Sequence, residues 1–222
     1  FTIVENRHLS GLYSLLILSP VEGALPEVCP GQFVQVSVDN SKTTFLRRPI
    51  SINHVDYKNN QLWLLVRKAG DGTAAMIAKQ PGELVNLLLP LGNSFTMPEK
   101  GKKVLLIGGG VGVAPLLYWG AYLKEHGIAP SFLLGARSEK DVLERDMFEA
   151  VGDVYVSTED GTFGEKGLVT AHSVLNNHWD HIYCCGPAPM MKAVAKVART
   201  IGAECEVSLE NMMACGLGAC LC

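Results

Sequence analysis

Lys103-Val-Leu-Leu-Ile-Gly-Gly-Gly-Val-Gly-Val-Ala-Pro115 is the stretch on which the reading of the fold turns. Val104 to Ile107 form an unbroken apolar run, the pattern of a strand buried on both faces of a parallel sheet. Gly108, Gly109, Gly110 and Gly112 follow, and residues 116–124 continue as a helix. A glycine loop between a buried strand and a helix lets the main chain approach a pyrophosphate at the helix N-terminus. The loop does not fit G-x-G-x-x-G, because Val113 stands three positions after Gly110. Ala136-Arg137-Ser138 occupies the end of the next strand, where an acidic ribose reader would stand. The run therefore reads as a nucleotide-binding loop of a variant kind. A tight turn that serves packing alone is the competing reading.

Working outward, residues 103–209 alternate strand and helix. Strands are expected at 130–136, 153–157 and 181–185, and helices at 140–150, 168–175 and 190–201. That alternation predicts a right-handed parallel α/β sheet. Cys185-Gly186-Pro187 falls at the carboxyl end of a late strand, where open α/β sheets bind ligands. Cys185 is a candidate to face a nicotinamide, with a buried inert thiol as the alternative; Cys184 reads as inert.

Residues 1–100 have a different texture. Strand-like runs at 2–5, 11–18, 32–38 and 61–66 are separated by Ser19-Pro20, Pro30-Gly31, Asn59-Asn60 and Pro81-Gly82. Short strands at such intervals predict a small antiparallel barrel. Within it, Phe45-Leu-Arg-Arg-Pro-Ile-Ser-Ile52 reads as a strand with Leu46, Ile50 and Ile52 on one parity. Arginines in an apolar strand are costly unless an anion meets them. Pro49 removes a ladder donor and so marks an edge or a gap. Fixed cations, an open strand edge and the Ser51 hydroxyl suit a flat ring with a phosphate tail, which describes a flavin nucleotide. The competing reading pairs both arginines with surface carboxylates. Gly72-Thr73 precedes a helix over 74–78 and would aim its positive end at a phosphate, although an ordinary helix cap accounts for the pair equally well.

The chain holds 222 residues, 48% of them apolar, enough for one large or two small cores. Its formal net charge of −3 supplies no electrostatic reason for nucleic-acid binding. No apolar run approaches the ~20 residues of a membrane-spanning helix. Phe1-Thr-Ile-Val-Glu-Asn-Arg has no signal-peptide layout and no initiator Met, so one or more residues are expected to precede it. Of the seven cysteines, Cys215, Cys220 and Cys222 crowd the last eight residues. An odd number with one tight cluster points to a reducing compartment and a metal site, not to a disulfide framework. Cys215-x4-Cys220 has the first spacing of a plant-type 2Fe–2S ligand run, and Gly216 and Gly218 let the chain wrap such a cluster. The third ligand of that spacing falls on position 223, so the cluster segment is expected to be cut short here.

Taken in order, Arg48-Pro-Ile-Ser51, Gly72-Thr73, Gly108-Gly-Gly-Val-Gly-Val-Ala-Pro115 and Cys185-Gly-Pro187 resemble the ferredoxin reductase superfamily. The ending Met213-Ala-Cys-Gly-Leu-Gly-Ala-Cys-Leu is similar to that of the electron-transfer subunits of class 1B dihydroorotate dehydrogenase. The resemblance implies an FAD-binding β barrel at 1–100, a parallel-sheet NAD-binding α/β domain at 101–209 and a short C-terminal iron–sulfur segment at 210–222. It implies that Arg48 neutralises FAD phosphate, that Ser51 bonds the ring edge, and that Pro49 and Ile50 line the ring. Leu65, Val66 and Arg67 would flank the cofactor, and Gly72 and Thr73 would hold its pyrophosphate. Gly109, Gly110, Cys185 and Gly186 would contact NAD, and Cys215 and Cys220 would ligate iron. A cytoplasmic complex is implied, a heterotetramer with an FMN-containing dihydroorotate dehydrogenase catalytic subunit. Its electrons would pass through the 2Fe–2S cluster and FAD to NAD+ in pyrimidine biosynthesis. No side-chain acid or base is assigned. The alternative is the small NAD(P)H–flavin reductase subunit of another redox complex, of the hydrogenase, sulfide dehydrogenase or transhydrogenase type.

Overall fold

The computed structural model describes residues 1–39, 43–210 and 213–219. The chain divides into two compact units: Phe1–Ser94 together with Glu210–Cys222, and Phe95–Leu209. Phe95 belongs to the second unit because its ring packs on Trp119 and Tyr183 at 5.6 Å, and the Tyr183 hydroxyl donates to the Thr96 carbonyl at 2.6 Å.

The first unit contains strands β1 (Thr2–His8), β2 (Tyr13–Ser19), β3 (Phe33–Val36), β4 (Arg48–Asp56) and β5 (Gln61–Arg67), helix α1 (Asp71–Ala78) and strand β6 (Leu87–Leu91). The strands lie in the order β1-β2-β5-β4-β3-β6, and every pairing is antiparallel. The two ends of this sheet are tied together. The Ile3 N–H donates to the Glu83 carbonyl at 3.0 Å, the Gly82 N–H to Ile3 at 2.8 Å and the Val85 N–H to Phe1 at 2.8 Å. The sheet thus closes into an antiparallel barrel through the segment that precedes β6.

Two details differ from the sequence reading. The strand expected over 45–52 begins only at Arg48 and continues to Asp56, leaving Phe45 90% exposed. Its partner β3 ends at Val36, directly opposite Arg48, so no ladder exists to extend it further back. β6 takes in Pro90 and Leu91, the first two residues of the stretch 90–95 that the sequence reads as a barrel-closing loop. It pairs only with β3, at the end of the strand order, where a proline is tolerated.

In the second unit, β7 (Val104–Gly109) leads through a 3-10 turn (Gly110–Val113) into α2 (Ala114–Glu125). There follow β8 (Pro130–Ala136), α3 (Arg145–Val151), β9 (Asp153–Thr158), the two-residue β10 (Glu165–Lys166), β11 (His181–Cys185), α4 (Ala188–Ile201) and β12 (Glu204–Ser208). The six strands are parallel, in the order β10-β9-β8-β7-β11-β12. Alternation along the strands sorts the core. Leu105, Ile107, Leu133, Ile182 and Cys184 pack with Met191, Val194 and Ala198 of α4. On the opposite face, Tyr183 meets Trp119 of α2, and Phe132 meets Phe148 of α3. Gly120 lets α2 lie close against Phe132, since a Cβ there would fall 2.3 Å from the Phe132 ring.

The helix expected over 140–150 starts late: Glu139–Asp141 is a 3-10 turn, and α3 begins after Glu144, whose φ is 54°. The helix expected over 168–175 is two 3-10 turns, Val169–Ala171 and Ser173–Asn176. There the His172 Nδ1 accepts the Val174 N–H at 3.0 Å and the Trp179 indole donates to the Val174 carbonyl at 2.9 Å. Side chains occupy the main-chain groups that an α-helix needs. Among the described residues no helix is long and apolar enough to cross a membrane.

Candidate functional site

In the barrel, β4 and β5 part company. Their ladder runs from Asp56↔Gln61 to Ile52↔Leu64 and stops. Beyond it, residues 48–51 pair only with β3, and residues 65–67 pair only with β2. This is the gap that Pro49 signalled. Arg48, Pro49, Ile50 and Ser51 lie on one side of it, Leu65, Val66 and Arg67 on the other. Leu65 and Val66 are buried to within 1% of complete, so their side chains are core and only their main chain is offered at the gap. Arg67 is exposed.

Arg48 and Gly72 come together. A Cβ on Gly72 would fall 3.1 Å from Arg48 Cγ and 3.1 Å from Thr44 Cγ2, so the arginine stem lies across the glycine at the start of α1. Arg48 Nε and Nη2 donate to the Leu46 carbonyl at 3.2 and 3.1 Å. Arg47 is engaged elsewhere. It donates to the carbonyls of Gln35 and Asn86 and to Asn86 Oδ1 at 2.5 Å, tying β3 to the β6 side. Among the described residues neither arginine meets a carboxylate, so the competing reading of paired surface arginines does not hold. Thr73 caps its own helix, its Oγ1 accepting the Ala69 and Gly70 N–H groups at 2.8 and 3.1 Å. The leading N–H groups of α1 have no acceptor within the helix, as at any helix start. Asp71 in that turn accepts from the Thr43 hydroxyl at 2.8 Å.

In the second unit, the chain leaves β7 toward β8, β9 and β10, then crosses to β11 on the opposite side of β7. The β7/β11 boundary is therefore a topological switch point, where the loops diverge and a crevice forms. Gly109 and Gly110 end β7, and Cys185 and Gly186 end β11, so all four lie at that point. The two loops touch. A Cβ on Gly112 would lie 2.5 Å from the Cys185 carbonyl oxygen, and one on Gly109 would lie 2.5 Å from Met190 Sδ. α2 and α4 both start here, each with proline in its first turn. Cys185 is buried on the Tyr183 face; Cys184 points to the α4 side, where burial pushes its thiol pKa well up.

Cys215 is half-buried, and its Sγ accepts the Leu217 N–H at 3.3 Å. Gly216 and Gly218 have φ of 69° and 79°, a conformation that curls the main chain around the sulfur. An N–H aimed at a cysteine sulfur, with glycines on either side of it, fits a thiolate bound to iron. Cys220 and Cys222 lie outside the described residues, and among the described ones no three His, Cys, Asp or Glu converge on a metal position.

One residue escaped the sequence reading. Gln35, in the middle of β3, is completely buried, and neither Oε1 nor Nε2 has a hydrogen-bond partner among the described residues. A Cβ on Gly216 would fall 2.5 Å from its Nε2. The available signal was a lone amide flanked by Phe33, Val34 and Val36 in a barrel strand. Leaving such a group unpaired costs about 1–3 kcal/mol.

A closed antiparallel barrel, followed by a parallel sheet with glycine loops at its switch point, defines an oxidoreductase of the ferredoxin reductase type. Residues 106–196 match the oxidoreductase NAD-binding domain. The chain is 42% identical over 194 residues to a protein of Shouchella clausii, covering 86% of this chain and 74% of that one. It is 38% identical over 225 residues to one of Bacillus velezensis, covering 99% and 86%. Both are named as the electron transfer subunit of dihydroorotate dehydrogenase B (NAD(+)). Among solved structures, an NADH-dependent reduced ferredoxin–NADP oxidoreductase superposes with TM-score 0.87 at 28% identity, covering 99% of this chain and 79% of that one. The FAD/NAD-binding domain of a Vibrio cholerae nitric oxide dioxygenase shares the fold, with TM-score 0.79 at 22% identity, covering 93% and 97%. The chain belongs to the family of dihydroorotate dehydrogenase B electron transfer subunits.

Proposed function

We propose that this protein carries electrons between an FMN-containing, dihydroorotate-oxidising partner subunit and NAD+, using FAD and a 2Fe–2S cluster, in a cytoplasmic heterotetramer. The single observation that supports the route best is the parting of β4 and β5, which opens main-chain edges on both sides of a gap beside Arg48 and Gly72. In this reading residues 1–100 hold FAD, 101–209 hold NAD and 210–222 begin the cluster segment.

When bound, a flavin exchanges electrons singly or in pairs, and so joins a one-electron carrier to the two-electron nicotinamide. The chain's own residues position and tune. Arg48 and the start of α1 neutralise the pyrophosphate, with Gly72 leaving room for it and Thr73 holding the helix turn in shape. Ser51 offers a hydroxyl to the ring edge, Pro49 and Ile50 flank the ring, and Leu65, Val66 and Arg67 contribute the facing main chain. Gly109, Gly110 and Gly186 let a dinucleotide approach the switch point, beside Cys185. Cys215 and Cys220 are the first two iron ligands.

The test is co-purification with the catalytic partner. The expected complex is yellow-brown, with flavin bands and an iron–sulfur EPR signal, and reduces NAD+ with dihydroorotate. A colourless chain that takes up no FAD would overturn the reading. Full activity without any partner would favour a free-standing reductase.

A further inference from the structure

Gln35 is an amide without an evident reason to be where it is. It is wholly buried in β3, and both polar atoms of its side chain lack partners among the described residues. A strand core selects against such a group unless it serves something. Its carboxamide is packed against the cysteine loop: a Cβ on Gly216 would meet Gln35 Nε2 at 2.5 Å, Cγ at 3.0 Å and Cδ at 3.2 Å. The neighbouring Cys215 sulfur already receives one N–H, from Leu217 at 3.3 Å. On the ladder, Gln35 lies directly opposite Pro49, and Val34 opposite Ile50. The strand that carries Gln35 therefore also backs the residues assigned to the flavin ring.

We infer that Gln35 is a positioning residue for the iron-ligating loop, its Nε2–H group, which has no acceptor among the described residues, being held beside the Cys215–Gly216 turn to donate to the iron–sulfur site and so set its reduction potential. The inference rests on the reading of Cys215 as an iron ligand. A reduced iron–sulfur site carries one more negative charge than the oxidised one, and N–H donors near its sulfurs stabilise that extra charge. Removing the donor makes the site harder to reduce.

The experiment is an EPR-monitored redox titration of the assembled complex in three forms: wild type, Gln35→Met and Gln35→Glu. The Met variant keeps the volume and removes the donor. Its midpoint is expected below that of wild type. A glutamate donates only while its carboxyl is protonated, so the Gln35→Glu midpoint is expected to fall as pH rises, more steeply than that of wild type. Loss of the iron–sulfur signal from both variants, with flavin content unchanged, also supports the role. Midpoints and iron content equal to wild type in both variants would overturn it. A wild-type complex with flavin but no iron–sulfur signal would instead overturn the reading of Cys215, and this inference with it.

Discussion

Arg48 shows how neighbours decide what a single side chain can do. Its stem covers Gly72, and no described carboxylate neutralises its charge, so the guanidinium is available to an anion at the start of α1. Hydrogen bonds to charged groups are worth about 1.5–3 kcal/mol, so Arg48→Ala should weaken FAD binding roughly 10- to 100-fold, measured by flavin fluorescence titration. Unchanged affinity would remove Arg48 from the site. The glycines at the switch point make a sharper comparison. Gly112→Ala would drive a methyl into the Cys185 carbonyl at 2.5 Å, whereas Gly109→Ala meets the flexible end of Met190. Main chain cannot step aside as a thioether can. Gly112→Ala should therefore cost about 1–3 kcal/mol in urea unfolding, and Gly109→Ala distinctly less. Thiol labelling separates the cysteines as well. Cys184 is buried and its thiol is pushed toward the neutral form, so it should resist alkylation until the chain unfolds, while exposed Cys29 should react at once.

At the scale of elements, the divergence of β4 from β5 matters more than either strand's sequence. Up to Ile52↔Leu64 the two strands satisfy each other; beyond it each turns to its outer neighbour. Leu65 then serves the core with its side chain and the gap with its main chain alone. Leu65→Ala should lower stability by about 2–5 kcal/mol, while each molecule that remains folded keeps its flavin. Arg67→Ala, at an exposed position, should do the reverse: little change in unfolding and a weaker flavin complex. A Leu65→Ala protein that folds stably but loses FAD would place that side chain in the site after all. The two 3-10 turns between 169 and 176 make a different point about elements. His172 and Trp179 bind the Val174 main chain directly, and hydrophobic spacing along the sequence carries no trace of such bonds.

Over the whole molecule, acid stability should follow His181 before it follows the carboxylates. Burial, against Tyr183 stacked at 4.2 Å, holds the imidazole pKa below its ordinary value, and Glu204 and Glu206 only partly oppose this. The unfolded chain then takes up a proton near pH 6.5 that the folded chain resists. Stability is complete above about pH 6.5 and declines as pH falls below it. Urea midpoints should drop as pH is lowered through about 6.5, and His181→Phe should flatten that drop. Glu5, Asp56 and Asp180, whose hydrogen bonds hold their carboxyls below the usual range, act lower, as pH falls below about 4. Much of this architecture was legible in the residues themselves. An apolar run into Gly108–Gly110, alternation with helices and turn punctuation across 1–100 are local signals, because period and backbone freedom are properties of short segments. Where β4 and β5 separate, that Arg48 lies over Gly72, that Gly112 abuts Cys185, and that Gln35 is buried beneath Gly216 were decided only by the tertiary structure. Each is a contact between segments that are distant along the chain, and such contacts depend on register and closure, which the pattern of a single strand does not contain.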